Sequence, residues 1–235
     1  RRFKASMVFQ KFALLPHRSV IKNVAYGLLI QGVNKVEAYE RSQKWIDKVS
    51  LNGYENSYPY QLSGGMQQRV GLARAMATDA GILLMDEAFS SLDPLIRSSM
   101  QEILLDLQKE LNKTIIFITH DLNEALRIGD QISILRDGEI IQTGSPEDIL
   151  LGPKDKYISN FIKDINRGRM LKVSSIMRKN TSIKAPKILD NISIEDAIPI
   201  LASTSEGLAA VVNKNGNIIG KVSLDSAISA LSSKK

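Results

Sequence analysis

Residues 81–87 read Gly-Ile-Leu-Leu-Met-Asp-Glu, and residues 114–120 read Thr-Ile-Ile-Phe-Ile-Thr-His. Each is a short apolar run, the second rich in β-branched residues, and each reads as a buried strand. Between them Ile96, Met100, Ile103, Leu104, Leu107 and Leu111 recur at spacings of three and four, which makes one apolar helix face. A strand, a crossover helix and a strand form a βαβ unit, so the two strands are expected to run parallel. In such sheets the carboxyl ends of the strands face the ligand. Asp86, Glu87 and His120 should therefore lie along one edge. The fold class expected is α/β.

Working outward, residues 6–9 (Ser-Met-Val-Phe) form another short apolar stretch, and Ala38 to Val49 has the periodicity of an amphipathic helix around Trp45. Downstream, residues 131–135 and 139–142 flank Asp137-Gly138, a hairpin turn signal. Gly152-Pro153 marks a break. Beyond it lies a smaller unit. Residues 193–201 read as a helix with Ser193 as N-cap and Glu195-Asp196 in its first turn. Residues 208–213 and 218–222 read as strands around Asn215-Gly216, and Ser223 to Leu231 as a last helix. The domain boundaries expected are 1–162 for the first part, with a helical subdomain at about 11–75 and a sheet core at about 76–150. A basic linker that runs into the start of the C-terminal module follows at 163–187, and a single small α+β module at 188–235.

The sharpest motif is Leu62-Ser63-Gly64-Gly65-Met66-Gln67-Gln68-Arg69. Ser63 can cap a helix starting near Gly64, and the two glycines let backbone approach a ligand closely. The free N–H groups of a helix N-terminus suit a phosphate. Asp86, at the end of its strand, suits Mg²⁺, which takes oxygen ligands and keeps much of its water. Glu87 suits a general base that accepts a proton from water or orients it. His120 is placed to reach a terminal phosphate, whereas His17 is read as structural or surface. Gln10 gains meaning only as one of an ordered set: Gln10, Ser63 to Gly65, Asp86-Glu87, Ser91-Leu92-Asp93 and His120.

Composition narrows the classes further. Of 235 residues 43% are hydrophobic and 24% charged, an ordinary globular balance. The chain has no cysteine, which excludes a disulfide scaffold, a thiolate metal site and a cysteine nucleophile. No apolar run approaches the roughly 18 residues of a membrane span, and no signal peptide pattern opens the chain, so the cytosolic side is expected. The net charge is +6, from 31 Lys+Arg against 25 Asp+Glu. Residues 163–187 alone carry +7: Lys163, Arg167, Arg169, Lys172, Arg178, Lys179, Lys184 and Lys187 against Asp164. A basic chain prompts a nucleic-acid reading, but here the excess is one block, expected to be a solvated linker or a contact for anionic lipid headgroups.

Taken together, the five motifs resemble the ATP-binding subunits of ABC transporters. Gln10 is similar to the Q-loop, LSGGMQQR (62–69) to the signature, ILLMDE (82–87) to the Walker B strand, SSLD (90–93) to the D-loop and ITHD (118–121) to the H-loop. VFQKFALLPHRSV, LSGGMQQRVGLARA, MDEAFSSLDPLIR and HDLNEALRIGDQI resemble the glycine betaine/proline betaine importer ATPases. GKVSLDSAISAL (220–231) resembles part of a CBS regulatory module.

The resemblance implies a P-loop NTPase fold, ATP and Mg²⁺ as cofactors, and an ATPase that energises import of quaternary-amine osmoprotectants. It implies two subunits stacked head to tail, a membrane permease, and indirectly a substrate-binding protein, at the cytoplasmic face of the membrane. It implies that Ser63, Gly64, Gly65 and Gln67 contact ATP, with Ser63 and Gly65 on the γ-phosphate of the partner's nucleotide. Asp86 and Gln10 would serve Mg²⁺, Glu87 would be the base, His120 would hold the γ-phosphate and Asp93 would signal across the dimer.

Two departures stand out. No G-x-x-x-x-G-K-[ST] loop, which cradles the phosphates, occurs in the sequence. With Arg1 at the start, this leads to the expectation of an N-terminal truncation, and of a chain inactive by itself. CBS modules work in pairs and one is visible. Its Ser223 is followed three residues later by Ser226, where nucleotide-binding repeats carry Asp. Competing classes are a soluble non-transport ABC ATPase acting on nucleic acid or ribosomes, and a regulatory fragment without activity. Permease co-purification discriminates the first, ATP turnover the second.

Overall fold

A computed structural model describes residues 4–111, 113–179, 183 and 185–232. Lys184 of the basic block and residues 233–235 of the C-terminal module lie outside the described residues. The chain divides into two compact units, Arg1–Glu124 and Ala125–Lys235.

The first unit is built on three parallel strands: β1 (Ala5–Phe9), β2 (Ile82–Asp86) and β3 (Thr114–Ile118), in the order β1-β2-β3. The parallel pairing expected of the βαβ unit is thus observed, with Phe9, Asp86 and Ile118 level across the sheet. Between β1 and β2 come four helices: α1 (Val20–Val24), α2 (Tyr26–Ile30), α3 (Lys35–Lys48) and α4 (Gly64–Ala77). The crossover is α5 (Pro94–Leu111), whose Met100, Leu104 and Leu107 are buried as the periodicity requires. Asn23 is fully buried and ties α1 to the loop before it: it accepts from Leu15 N and donates to the carbonyls of Leu15 and Arg18. An unmade set of such bonds would cost about 1–3 kcal/mol per group.

The two faces of the sheet differ. Val8, Leu83 and Met85 are buried, and α4 packs against β1 on the helical side. The alternate positions are open: Ile116 is 51% and Ile118 57% exposed, with Phe9 and Ile82 also exposed. Parallel sheets are ordinarily covered on both faces. Among the described residues this one has cover on a single face.

The second unit takes in the end of α6 (Leu122–Ile128), which begins in the first. The hairpin β4 (Ile132–Arg136) and β5 (Glu139–Gly144) follows, and its turn residues Asp137 and Gly138 have φ of 53° and 84°, the left-handed pair that a two-residue hairpin loop requires. Ser145 and Asp148 cap α7 (Pro146–Leu151) reciprocally, and hydrogen bonding by Ser145 lowers the Asp148 carboxyl from its ordinary value. Asp155 caps α8 (Lys156–Phe161).

Much of the expected basic linker is folded. It contains α9 (Arg167–Met170) and α10 (Val173–Ile176), and Leu171 and Val173 are fully buried. Both helices pack in the C-terminal module, made of β6 (Lys187–Leu189), α11 (Ile194–Ala202), β7 (Leu208–Val212), β8 (Ile218–Ser223) and α12 (Leu224–Leu231). β6 runs parallel to β7, and β7 antiparallel to β8. Ser193 caps α11, and Ser223 with Ser226 forms the capping box of α12, so Ser226 is used in folding the helix start. The register aligns Lys187, Ala210 and Lys221 in one cross-strand row, extended by a bridge from Lys221 to Arg178. Like charges directly opposite on a sheet repel, and none of these three cations has an acidic partner among the described residues.

Candidate functional site

Site residues gather where the strands of the first unit end. β2 runs to Asp86, and Glu87 then leaves the strand with φ 43°, a left-handed conformation uncommon for a non-glycine residue. Its backbone N–H donates to Ile118 O at 2.9 Å, which fixes this turn against β3. The side chain is thereby set between two others. Gln10 Nε2 donates to Glu87 Oε2 at 3.1 Å, and His120 Nδ1 lies 3.2 Å from Glu87 Oε1. The glutamate is about one-third exposed and the imidazole 72% exposed, so the cluster opens to solvent. Such placement suits groups that must meet a diffusible ligand.

Gln10 also donates to Ser90 Oγ at 3.0 Å, and that hydroxyl donates to Glu87 O at 2.9 Å. Ser90 was not singled out by sequence reasoning, although it stands within the SSLD stretch. With the Gln10 amide nitrogen engaged, its amide oxygen is left to accept or to ligate. Asp86, exposed and level with Phe9, makes no side-chain hydrogen bond or ion pair among the described residues. Two hard oxygen donors thus flank the cluster. Among the described residues no group of three or more His, Asp or Glu side chains forms a protein cage for a metal. The donor set fits Mg²⁺, which binds through one or two carboxylates and otherwise to water and phosphate.

The second group sits at the start of α4. Ser63 Oγ accepts from Met66 N at 3.3 Å, the expected N-cap, worth about 1 kcal/mol. Gln67 turns back and donates from its amide to Leu62 O at 3.2 Å, so it pins the entry to the helix. Gly65 meets a steric limit: a Cβ there would lie 2.5 Å from Ile96 Cγ2. A Cβ on Gly64 would meet only the Phe12 ring, at 3.6 Å. Asp93 Oδ1 accepts from the N–H groups of Leu95 and Ile96 and starts α5. No described hydrogen bond joins Ser63, Gly64, Gly65 or Asp93 to the Glu87 cluster.

Three further residues, invisible as motifs, support this geometry. Arg97 donates to Ser90 O and Leu92 O and pairs with Asp121 at 3.5 Å and Glu124 at 3.8 Å. Glu124 is buried and also accepts from Thr119 Oγ1 at 2.7 Å and Gln101 Nε2 at 3.2 Å. Arg74 donates from Nη1 to Ala13 O at 2.7 Å and from Nη2 to Phe12 O at 3.2 Å, and burial lowers its guanidinium from its ordinary value. Phe12 and Ala13 have φ of 54° and 45°, a strain of about 1–3 kcal/mol each that only surrounding structure can hold.

Comparison with known proteins points to a family. The ABC transporter family profile matches residues 1–90. The glycine betaine transport ATP-binding protein OpuAA of Bacillus subtilis is 54% identical over 187 residues, 80% of this chain and 45% of that protein. The trimethylamine N-oxide transport system ATP-binding protein TmoW of Ruegeria pomeroyi is 39% identical over 231 residues, 98% of this chain and 68% of that protein. The chain therefore spans about half to two thirds of the curated relatives it matches. Among solved structures, the ATP-binding cassette MJ0796, dimeric and bound to ADP and Pi after hydrolysis, superposes with a TM-score of 0.55 and 34% identity, covering 62% of this chain and 64% of the other.

Proposed function

The chain belongs to the ATP-binding proteins of ABC transporters, and from that premise we propose that it serves as the ATP-hydrolysing subunit of an importer for quaternary-amine osmoprotectants such as glycine betaine. The observation that carries the reading is the Glu87 carboxylate held between Gln10 and His120 at the carboxyl edge of a parallel sheet. In this reading Glu87 accepts the proton of the attacking water and His120 holds the γ-phosphate. Asp86 and the Gln10 amide oxygen would hold Mg²⁺, which when bound would supply positive charge against the phosphates. Ser63, Gly64, Gly65 and Gln67 face the ATP of a second copy stacked head to tail, and Asp93 lies at that contact.

The transport functions of these relatives support the substrate class: one serves glycine betaine and the other trimethylamine N-oxide. No described helix is long and apolar enough to cross a membrane, and a peripheral place at the cytoplasmic face, against a permease, fits the reading. The module at about 188–232, with helices on a small mixed sheet, is assigned as CBS-like and regulatory. Its cation row of Lys187, Lys221 and Arg178 supports contact with anionic lipid headgroups.

The test is uptake into proteoliposomes holding the complete protein, its permease and its binding protein. Labelled glycine betaine should accumulate with ATP and Mg²⁺ inside and not with a non-hydrolysable analogue. ATP turnover without uptake of any quaternary amine would refute the importer assignment.

A further inference from the structure

Gln10 reaches Glu87 from a segment that is held under tension. Ala13 N donates to Lys11 O at 2.5 Å, closing a three-residue turn around Phe12, and Phe12 N donates to Phe9 O at 3.2 Å. Two successive non-glycine residues, Phe12 and Ala13, sit in the left-handed region, which relaxed backbone avoids. Both carbonyls of this turn are taken by one guanidinium, that of Arg74. Arg74 has no carboxylate partner among the described residues, and burial disfavours its charge. Its donors are committed to the Phe12 and Ala13 carbonyls.

Arg74 stands on α4, the helix whose first turn carries Ser63, Gly64 and Gly65. The same helix supports the turn at two more points. The Phe12 ring lies 3.6 Å from where a Gly64 Cβ would be, and Phe12 O lies 3.6 Å from that position on Gly71. The segment bearing Gln10 thus rests on α4 at Gly64 and Gly71 and is gripped at Arg74. Any rotation of α4 must carry the Arg74 fork, and with it Gln10.

We infer that Arg74 is a positioning residue: it holds Gln10, and through Gln10 the Glu87 carboxylate, in the orientation set by α4. The inference rests on the ATPase reading above. It requires the arginine fork, because two adjacent carbonyls need two donors at fixed separation, which a lysine ammonium does not supply.

The test uses the complete protein with its transport partners. R74K should lower kcat for ATP at least tenfold with KM within about twofold, and should leave Tm near that of the parent. Q10A should cost R74K less than it costs the parent, since the part of the Gln10 effect that runs through Glu87 is already lost, whereas loss of the amide oxygen is common to both backgrounds. Adding A13G should recover at least half of the lost kcat, because glycine takes the positive φ unaided. Arg41→Met, which removes another arginine-to-carbonyl bond to α4, should leave kcat unchanged. Amide exchange at residues 10–14 should quicken in R74K whether or not ATP is turned over. That readout stands apart from the ATPase reading, which parental turnover decides. Unchanged exchange at 10–14, or losses in R74K and Q10A that add fully, would overturn the inference. If R74K does not fold, R74K/A13G carries the same comparison.

Discussion

His120 Nδ1 lies 3.2 Å from one oxygen of Glu87 while Gln10 holds the other at 3.1 Å. The carboxylate is therefore held at both oxygens. A base held this way is oriented at both oxygens, and the Gln10 amide adds no charge of its own. Glu87→Gln keeps the shape and removes the proton acceptor. It should lower ATP turnover by about 10²–10⁴-fold, the range for a general base, while nucleotide binding by equilibrium dialysis stays within a few-fold. His120→Ala should lower kcat and leave Glu87 still bonded to Gln10. Unchanged steady-state turnover in Glu87→Gln would remove it from the chemistry.

Gly65 and Gly64 give a second test because their surroundings differ. A Cβ at 65 would stand 2.5 Å from Ile96, a branched side chain at the start of α5, whereas at 64 it would only touch a ring. Gly65→Ala should destabilise the fold by about 1–3 kcal/mol, the usual cost of overpacking, and Gly64→Ala by much less. Ile96→Ala should suppress most of the Gly65→Ala effect. Chemical denaturation of all four variants reads this directly, and equal losses at 64 and 65 would contradict it.

The buried carboxylate of Glu124 holds Arg97, and Arg97 holds the carbonyls of Ser90 and Leu92. Removing one partner of a buried pair costs about 3–5 kcal/mol. Arg97 keeps 28% exposure, which puts Glu124→Ala near the low end. The double variant Arg97→Met/Glu124→Leu should be more stable than Glu124→Ala alone, because neither charge is then stranded. A Tm comparison decides.

Much of this was legible in residue order. The strands ending at Asp86 and before His120, the caps Ser63 and Ser193, and the hairpin at Asp137-Gly138 follow from periodicity and turn chemistry, which are local. The supports Arg74, Arg97 and Glu124 were not, because each acts on partners 5 to 62 residues away and none has a distinctive local pattern. The basic block was misleading for a related reason. Its charge suggests a solvated linker, yet Leu171 and Val173 between the cations are fully buried, and α9 and α10 are too short for periodicity to register.

The last prediction concerns those cations. Arg169 is paired with Glu195 at 2.9 Å, so it offers little to an external anion. Lys187, Lys221 and Arg178, aligned on one face of the module and without carboxylate partners, offer most. Each charge near an anionic membrane is worth about 1 kcal/mol and is screened within about 10 Å at 0.1 M salt. Replacing all three by Gln should flatten the dependence of transport on ionic strength in vesicles containing anionic lipid, and should change little in neutral vesicles. Replacing Arg169 alone should leave the salt response as it was. A triple variant with the parental salt response would exclude this row as the membrane contact.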